Sequence, residues 1–313
     1  MVSDRTRSRG QLILVGALLL ATVIFGLSML INSMLFTGAS SDTGASAAVE
    51  ETNFLDYDVE LAARELIVRL NHEDRNVTAA ELTARTERQM RNFSRALGEA
   101  RARSGSVAVS VEFAPSSSYN GTRIVQSHSA DMGETDVVSG SRVGWFSMSA
   151  NASEMGVGDA ITVTASNSSK THVELDIERT DNGTNVTSDP DWQSEHTHEC
   201  GGERGRVLLD LYAGAGFTDD CQFTGIGALD RPDDIEFDGG GDFQGKYAIV
   251  TNRSWSDPPG FDTCVQGGTP LPQEQADPCV APAVWNATIT TNVVGDSVEY
   301  ENTYNLTVYT NER

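Results

Sequence analysis

AITVTAS (160–166) and THVELDIE (171–178) decide the fold, because apolar and polar residues alternate along each of them. That is the period of a half-buried strand, whose successive side chains point to opposite faces of a sheet. The same period runs through SVAVSVEF (106–113), TRIVQS (122–127), VGWFSMS (143–149), RVLLDLYA (206–213) and KYAIVTN (246–252). It returns in the closing pair AVWNATITTNVV (283–294) and VEYENTYNLTVYT (298–310). So many short alternating segments predict antiparallel sheets packed as a sandwich over residues 105–313. The stretches 180–205, 230–245 and 256–282 read as loops; the last holds six of the nine prolines, and proline and glycine punctuate regular structure.

Upstream the period lengthens. Leu55, Val59, Ala62, Leu66 and Leu70 recur at steps of three and four, one stripe of a helix that ends near Asn71. Thr78 followed by Glu81 forms a capping box for a second helix, which runs to about Arg103 with Leu82, Met90, Phe93 and Leu97 on its inner side. Residues 54–104 are thus predicted to be a helical hairpin. Residues 37–53, small and polar, are predicted to be a linker.

Further upstream, Leu12 to Ile31 (LILVGALLLATVIFGLSMLI) is an uncharged apolar run that as a helix would cover about 30 Å, the hydrocarbon thickness of a bilayer. Arg5, Arg7 and Arg9 precede it and the next basic residue is Arg64, so the positive-inside rule keeps the N-terminus in the cytoplasm. The predicted class is therefore α+β: a cytoplasmic leader (1–10), an N-terminal transmembrane helix (11–36), the hairpin, and an antiparallel β-rich ectodomain outside the cell. The expected partners are the membrane and, through the N-terminal helix, homo- or hetero-oligomers.

A leader ending in Arg9-Gly10, followed by Gln11 and a long apolar helix, resembles the class III signal of archaeal type IV pilin-like proteins and archaellins. The resemblance implies cleavage by a prepilin peptidase between Gly10 and Gln11, and an apolar helix that packs as the core of a filament. Leu30-Ile31-Asn32 followed by Phe36 also resembles the end of an archaellin N-terminal helix. Val15 stands where many pilins carry Glu, a departure that archaellins often share. The resemblance covers about 30 of the 313 residues.

Charge places the protein better than it assigns a task. There are 45 acidic against 22 basic residues, a net charge of −23, and Lys170 and Lys246 are the only lysines. Excess carboxylate with scarce lysine suits concentrated salt, where counterions screen self-repulsion, and points to a halophile; taken with the resemblance above, this implies a halophilic archaeal envelope protein. It excludes nucleic-acid binding as an expectation, since phosphate recognition needs Lys/Arg patches. Ten Asn-x-Ser/Thr sequons follow the apolar run: Asn76, Asn92, Asn120, Asn151, Asn167, Asn182, Asn185, Asn252, Asn286 and Asn305. They are candidate glycosylation sites on an exterior surface.

Cys200, Cys221, Cys264 and Cys279 are even in number, which outside the cell favours two disulfides; sequential pairing would staple two local loops. His196-x-His198-x-Cys200 carries metal-ligand types on one face of a strand. No second ligand group follows and Cys200 has a disulfide alternative, so no metal is expected. Asp230, Asp233, Asp234, Asp238 and Asp242 do not fit the spacing of a calcium loop. No Gly-x-Ser-x-Gly, His-Glu-x-x-His or Gly-x-x-x-x-Gly-Lys motif occurs, so neither an enzyme nor a cofactor is expected. Two functions remain: a pilin-like or archaellin-like subunit or minor component of a surface filament, or a single-pass envelope protein whose β domain binds a ligand or glycan.

Overall fold

The computed structural model describes residues 44–309 except 105–106, 133–134, 182, 202–204, 218–220, 240–241, 257–259, 267, 271–276 and 296–298. The chain divides into two compact units, residues 1–58 and 59–313. What is described of the first is the opening of a helix, α1 (Gly44–Glu73), which starts inside the expected linker. Ala45, Ala47, Ala48, Glu50 and Glu51 are strong helix formers, and they outweigh the small polar residues between them.

In the second unit, α1 from Val59 onward and α2 (Ala79–Ser104) make a helical layer. Val59, Ala63, Ile67 and Leu70 are the buried side of α1, one residue around the helix from the predicted Ala62 and Leu66, which are half-buried. On α2 the buried line is Leu82, Thr86 and Met90. Thr86 escaped the apolar count, and its hydroxyl is satisfied by donating to the Leu82 carbonyl at 2.9 Å. The capping box forms: Thr78 N–H donates to Glu81 Oε2 at 2.8 Å, and Glu81 N–H donates to Thr78 Oγ1 at 3.2 Å. These Thr78 donors, the backbone N–H first, hold the Glu81 carboxyl below the usual range.

Seven strands form one antiparallel sheet. Their order is β15 (Glu299–Thr307), β14 (Cys279–Val294), β1 (Ala108–Asp131), β11 (Gln244–Thr251), β3 (Val143–Asn151), β8 (Arg206–Asp210) and β9 (Ala215–Gly216). Six more form a second sheet, β2 (Thr135–Val138), β10 (Asp234–Asp238), β4 (Ala160–Ser166), β5 (His172–Arg179), β6 (Gly183–Pro190) and β7 (His196–Gly201). A short ribbon, β12 (Val265–Gln266) with β13 (Thr269–Pro270), stands apart.

The two sheets face each other over one apolar core. On β4 and β5 the register pairs Ile161 with Ile177, Val163 with Leu175 and Ala165 with Val173, all fully buried. Phe237 of β10 crosses the gap, stacking on Phe146 of β3 at 6.0 Å and meeting Tyr247 of β11 edge-on at 5.1 Å. Aromatic pairs in these two geometries are favourable beyond the area they bury. The helical layer lies on the other face of the seven-stranded sheet, where Ser94 Oγ of α2 accepts the Val111 N–H of β1 at 2.8 Å.

The α+β expectation with an N-terminal transmembrane helix is corrected. The fold is mostly β, with fifteen strands and two helices among the described residues. Neither helix is long and apolar enough to cross a membrane, because α1 carries Glu50, Glu51, Asp56, Asp58, Glu60 and Arg64 within four turns. The run 11–36 lies outside the described residues, as does the leader with Gly10 and Gln11.

The expected loops are corrected as well. Residues 180–205 contain β6 and β7, and 230–245 contain β10. The inward positions of β6 include Thr184 and Ser188, buried but polar, so counting apolar residues misses the strand. Residues 106–113 and 122–127 are not two strands: β1 runs through both, with register shifts between Ala114 and Asn120.

Candidate functional site

Inside the second unit, an open cleft of about 490 Å³ lies where α1, the start of β3, the turns after β8 and the segment after β15 converge. Val68 contributes from α1, Gly144 and Trp145 from β3, Tyr212 and Phe223 from the turns, and Val308 and Tyr309 from beyond β15. Its volume is within the roughly 300–1,000 Å³ of small-molecule sites.

Two glycines allow these segments to meet. A Cβ on Gly144 would come within 2.6 Å of Trp285 and also strike Tyr309, so only a bare backbone lets the C-terminal segment close against β3. Gly214 has φ +76° in the turn after β8, a conformation that glycine adopts without penalty. The Tyr212 carbonyl then accepts the Gly227 N–H at 2.9 Å, which ties the two turns of the cleft together.

The aromatic walls are held from behind by the end of α1. Asn71 Nδ2 donates to the Val284 carbonyl at 2.9 Å, while Asn71 Oδ1 accepts the Val284 N–H at 2.8 Å; the side chain thus pairs with β14 like a strand. The same Asn71 Nδ2 lies 3.0 Å from Tyr309 Oη, and His72 Nε2 lies 3.2 Å from it. The His72 ring also packs on Trp145, with centroids 4.1 Å apart. Arg123 of β1 donates to the Asn71 carbonyl.

Burial sets the electrostatics of this buttress. Desolvation, with the Arg123 charge beside it, brings the His72 imidazole down to about 3, so the ring is neutral near pH 7. Burial also lowers Arg123 to about 10, still protonated, and pushes the Tyr309 phenol up, an effect that the Asn71 hydrogen bond partly offsets. The tyrosine and histidine therefore act as neutral hydrogen-bonding groups.

The residues singled out in the sequence fall elsewhere. Cys200 pairs with Cys221 and Cys264 with Cys279, the sequential connectivity. His196 and His198 are on β7, an edge strand, and Cys200 beside them is committed to its disulfide. Asp234 Oδ1 accepts the Gly140 N–H at 2.9 Å, so that carboxylate caps a turn. Asp233 is raised by desolvation and by Asp234 next to it. Among the described residues no three His, Cys, Asp or Glu side chains gather as a metal site.

Of the sequons, Asn76, Asn92 and Asn305 are exposed, whereas Asn120, Asn167, Asn185, Asn252 and Asn286 are half-buried. Asn151 is only 4 % exposed, and its amide oxygen accepts the Ser153 hydroxyl at 2.8 Å. Asn182 lies outside the described residues. The cleft itself is not legible in the sequence, where no local period links Trp145, Tyr212 and Tyr309.

Fold and site together define a disulfide-linked, two-sheet antiparallel β body with a helical layer on one sheet and an aromatic cleft beside that layer. Residues 6–144 are similar to a family of unknown function (DUF7261), a match over less than half of the chain. No curated protein matches the chain, and no solved structure does.

Proposed function

We propose that this chain is a non-enzymatic cell-surface protein, a pilin-like or archaellin-like subunit or minor component of a surface filament. The observation that carries the reading is the Arg9-Gly10-Gln11 junction directly ahead of the uncharged run 12–31. The family match begins at Thr6, ahead of that junction, and continues through both helices to the start of β3.

In this scheme the apolar run is the assembly element, because an uncharged, mostly apolar segment gains by packing against identical copies. Gly16, Ala17, Ala21, Gly26 and Ser28 permit their close approach. The β body, stapled by two disulfides and strongly acidic, faces a salty exterior at the outer side of the cell membrane. The test is the mass of the N-terminal peptide of the native protein. A mature chain that begins at Gln11 supports the reading, and an intact Met1 or a start near Ser40 overturns it.

A further inference from the structure

The cleft described above has a use that filament assembly does not need. Among the described residues no Asp, Glu, Lys or Arg lines it, although 21 % of the residues are charged and the chain carries −23. A wall free of charge in so acidic a protein selects against ions and leaves neutral ligands. Trp145 and Tyr212 are half-buried and both line the cleft.

The rings are also fixed in place. His72 packs at a tilt against Trp145, and the hydroxyl of Tyr309 lies within hydrogen-bond distance of both Asn71 and His72. Holding such a network in the interior costs desolvation, and its product here is a set of aromatic faces with little freedom to lose on binding. An aromatic face is electron-rich. It complements the weakly positive C–H face of a pyranose.

We propose that this cleft binds a neutral sugar unit, with Trp145 and Tyr212 as its stacking platform. The inference is independent of whether the chain is processed or assembles, so the fate of the N-terminus does not decide it. The test uses the full chain, made without N-linked glycans and kept in a polyoxyethylene detergent, which has no sugar headgroup. Cellobiose, maltose and N,N′-diacetylchitobiose are titrated by tryptophan fluorescence and calorimetry.

Saturable binding of at least one of the three is expected, weakened tenfold or more by Trp145→Ala. Ala228→Trp, which keeps the aromatic rings and adds bulk at an exposed residue of the cleft lining, should weaken it equally. Trp192→Ala, an aromatic 49 % exposed on the turn between β6 and β7, should leave affinity unchanged. Near-UV circular dichroism verifies that each variant is folded; if Trp145→Ala is not, Ala228→Trp decides. Absence of saturation with all three sugars overturns the proposal, as does wild-type affinity in a folded cleft variant.

Discussion

The two faces of the seven-stranded sheet are packed by different chemistry. Toward the six-stranded sheet the contacts are apolar and repetitive, with Phe146, Met148, Ile249 and Leu209 meeting Val163, Leu175, Ile235 and Phe237. Toward the helices, buried polar groups appear: Asn71, Arg75, Thr86 and Arg123. Arg75, in the turn between α1 and α2, makes a 2.6 Å ion pair with Asp277, and both side chains are nearly inaccessible. Asp277 also accepts the backbone N–H of His128 at 2.7 Å and of Ser127 at 3.3 Å, so one carboxylate ties the helical turn to β1 and to the approach to β14. An apolar face tolerates sliding and repacking; a face built on directed pairs holds one register.

The largest expected effect tests that contrast at the ion pair. Asp277→Ala leaves Arg75 buried and unpaired, and should cost about 4 kcal/mol in denaturant unfolding at high salt. Replacing both partners, Arg75→Met with Asp277→Leu, should restore most of that stability, because the uncompensated charge is then gone. If the double variant is as unstable as the single one, directed pairing is not what holds the helical face.

On the apolar side, Phe237→Ala removes the ring that bridges the sheets and should cost about 3 kcal/mol. Phe237→Leu should recover much of it, since volume and apolarity matter more there than orientation. A third effect follows pH. The folded His72 is held to about 3 against 6.5 for the free imidazole. The unfolded chain therefore takes up the proton first as pH falls, and stability present above about pH 6.5 drains by about 2 kcal/mol at about pH 5. Glu174 and Asp233, both raised by desolvation and by neighbouring carboxylates, act in the opposite sense. Comparison with His72→Gln isolates the histidine: the variant's stability should vary less with pH between 7 and 5.

The smallest effect is local. Thr78→Ala removes the oxygen that caps α2 and should cost about 1 kcal/mol, read as a lower thermal midpoint. Since the box is exposed and far from the sandwich core, Thr78→Ala and Phe237→Ala should add; marked non-additivity would mean that the two faces are coupled through the sheet.

Much of the sandwich was legible in the sequence, because β3, β4, β5, β11 and β14 alternate visibly. The strands that stayed hidden are those whose inward residues are not apolar. Thr184 and Ser188 put hydroxyls on the buried side of β6, and β10 sits among aspartates and glycines. The stripe of α1 was displaced by one residue because Ala62, Ala63, Leu66 and Ile67 offer two adjacent lines of similar apolarity, and only the sheet beneath selects between them. None of the cleft was legible as a site. Val68, Trp145, Tyr212 and Tyr309 are scattered over more than two hundred positions and share no spacing.

From residue order alone came the properties that depend on near neighbours: strand period, the Thr78–Glu81 cap, the acid excess, and a cysteine count compatible with two bridges. Tertiary structure decided the rest: the mostly β class, the strands with polar interiors, the concealment of Asn151, the ion pair across 202 positions, and the cleft. The physical reason is range. Period and capping are set within a turn of helix or a few strand residues, whereas burial and convergence depend on which distant surfaces exclude water from each other.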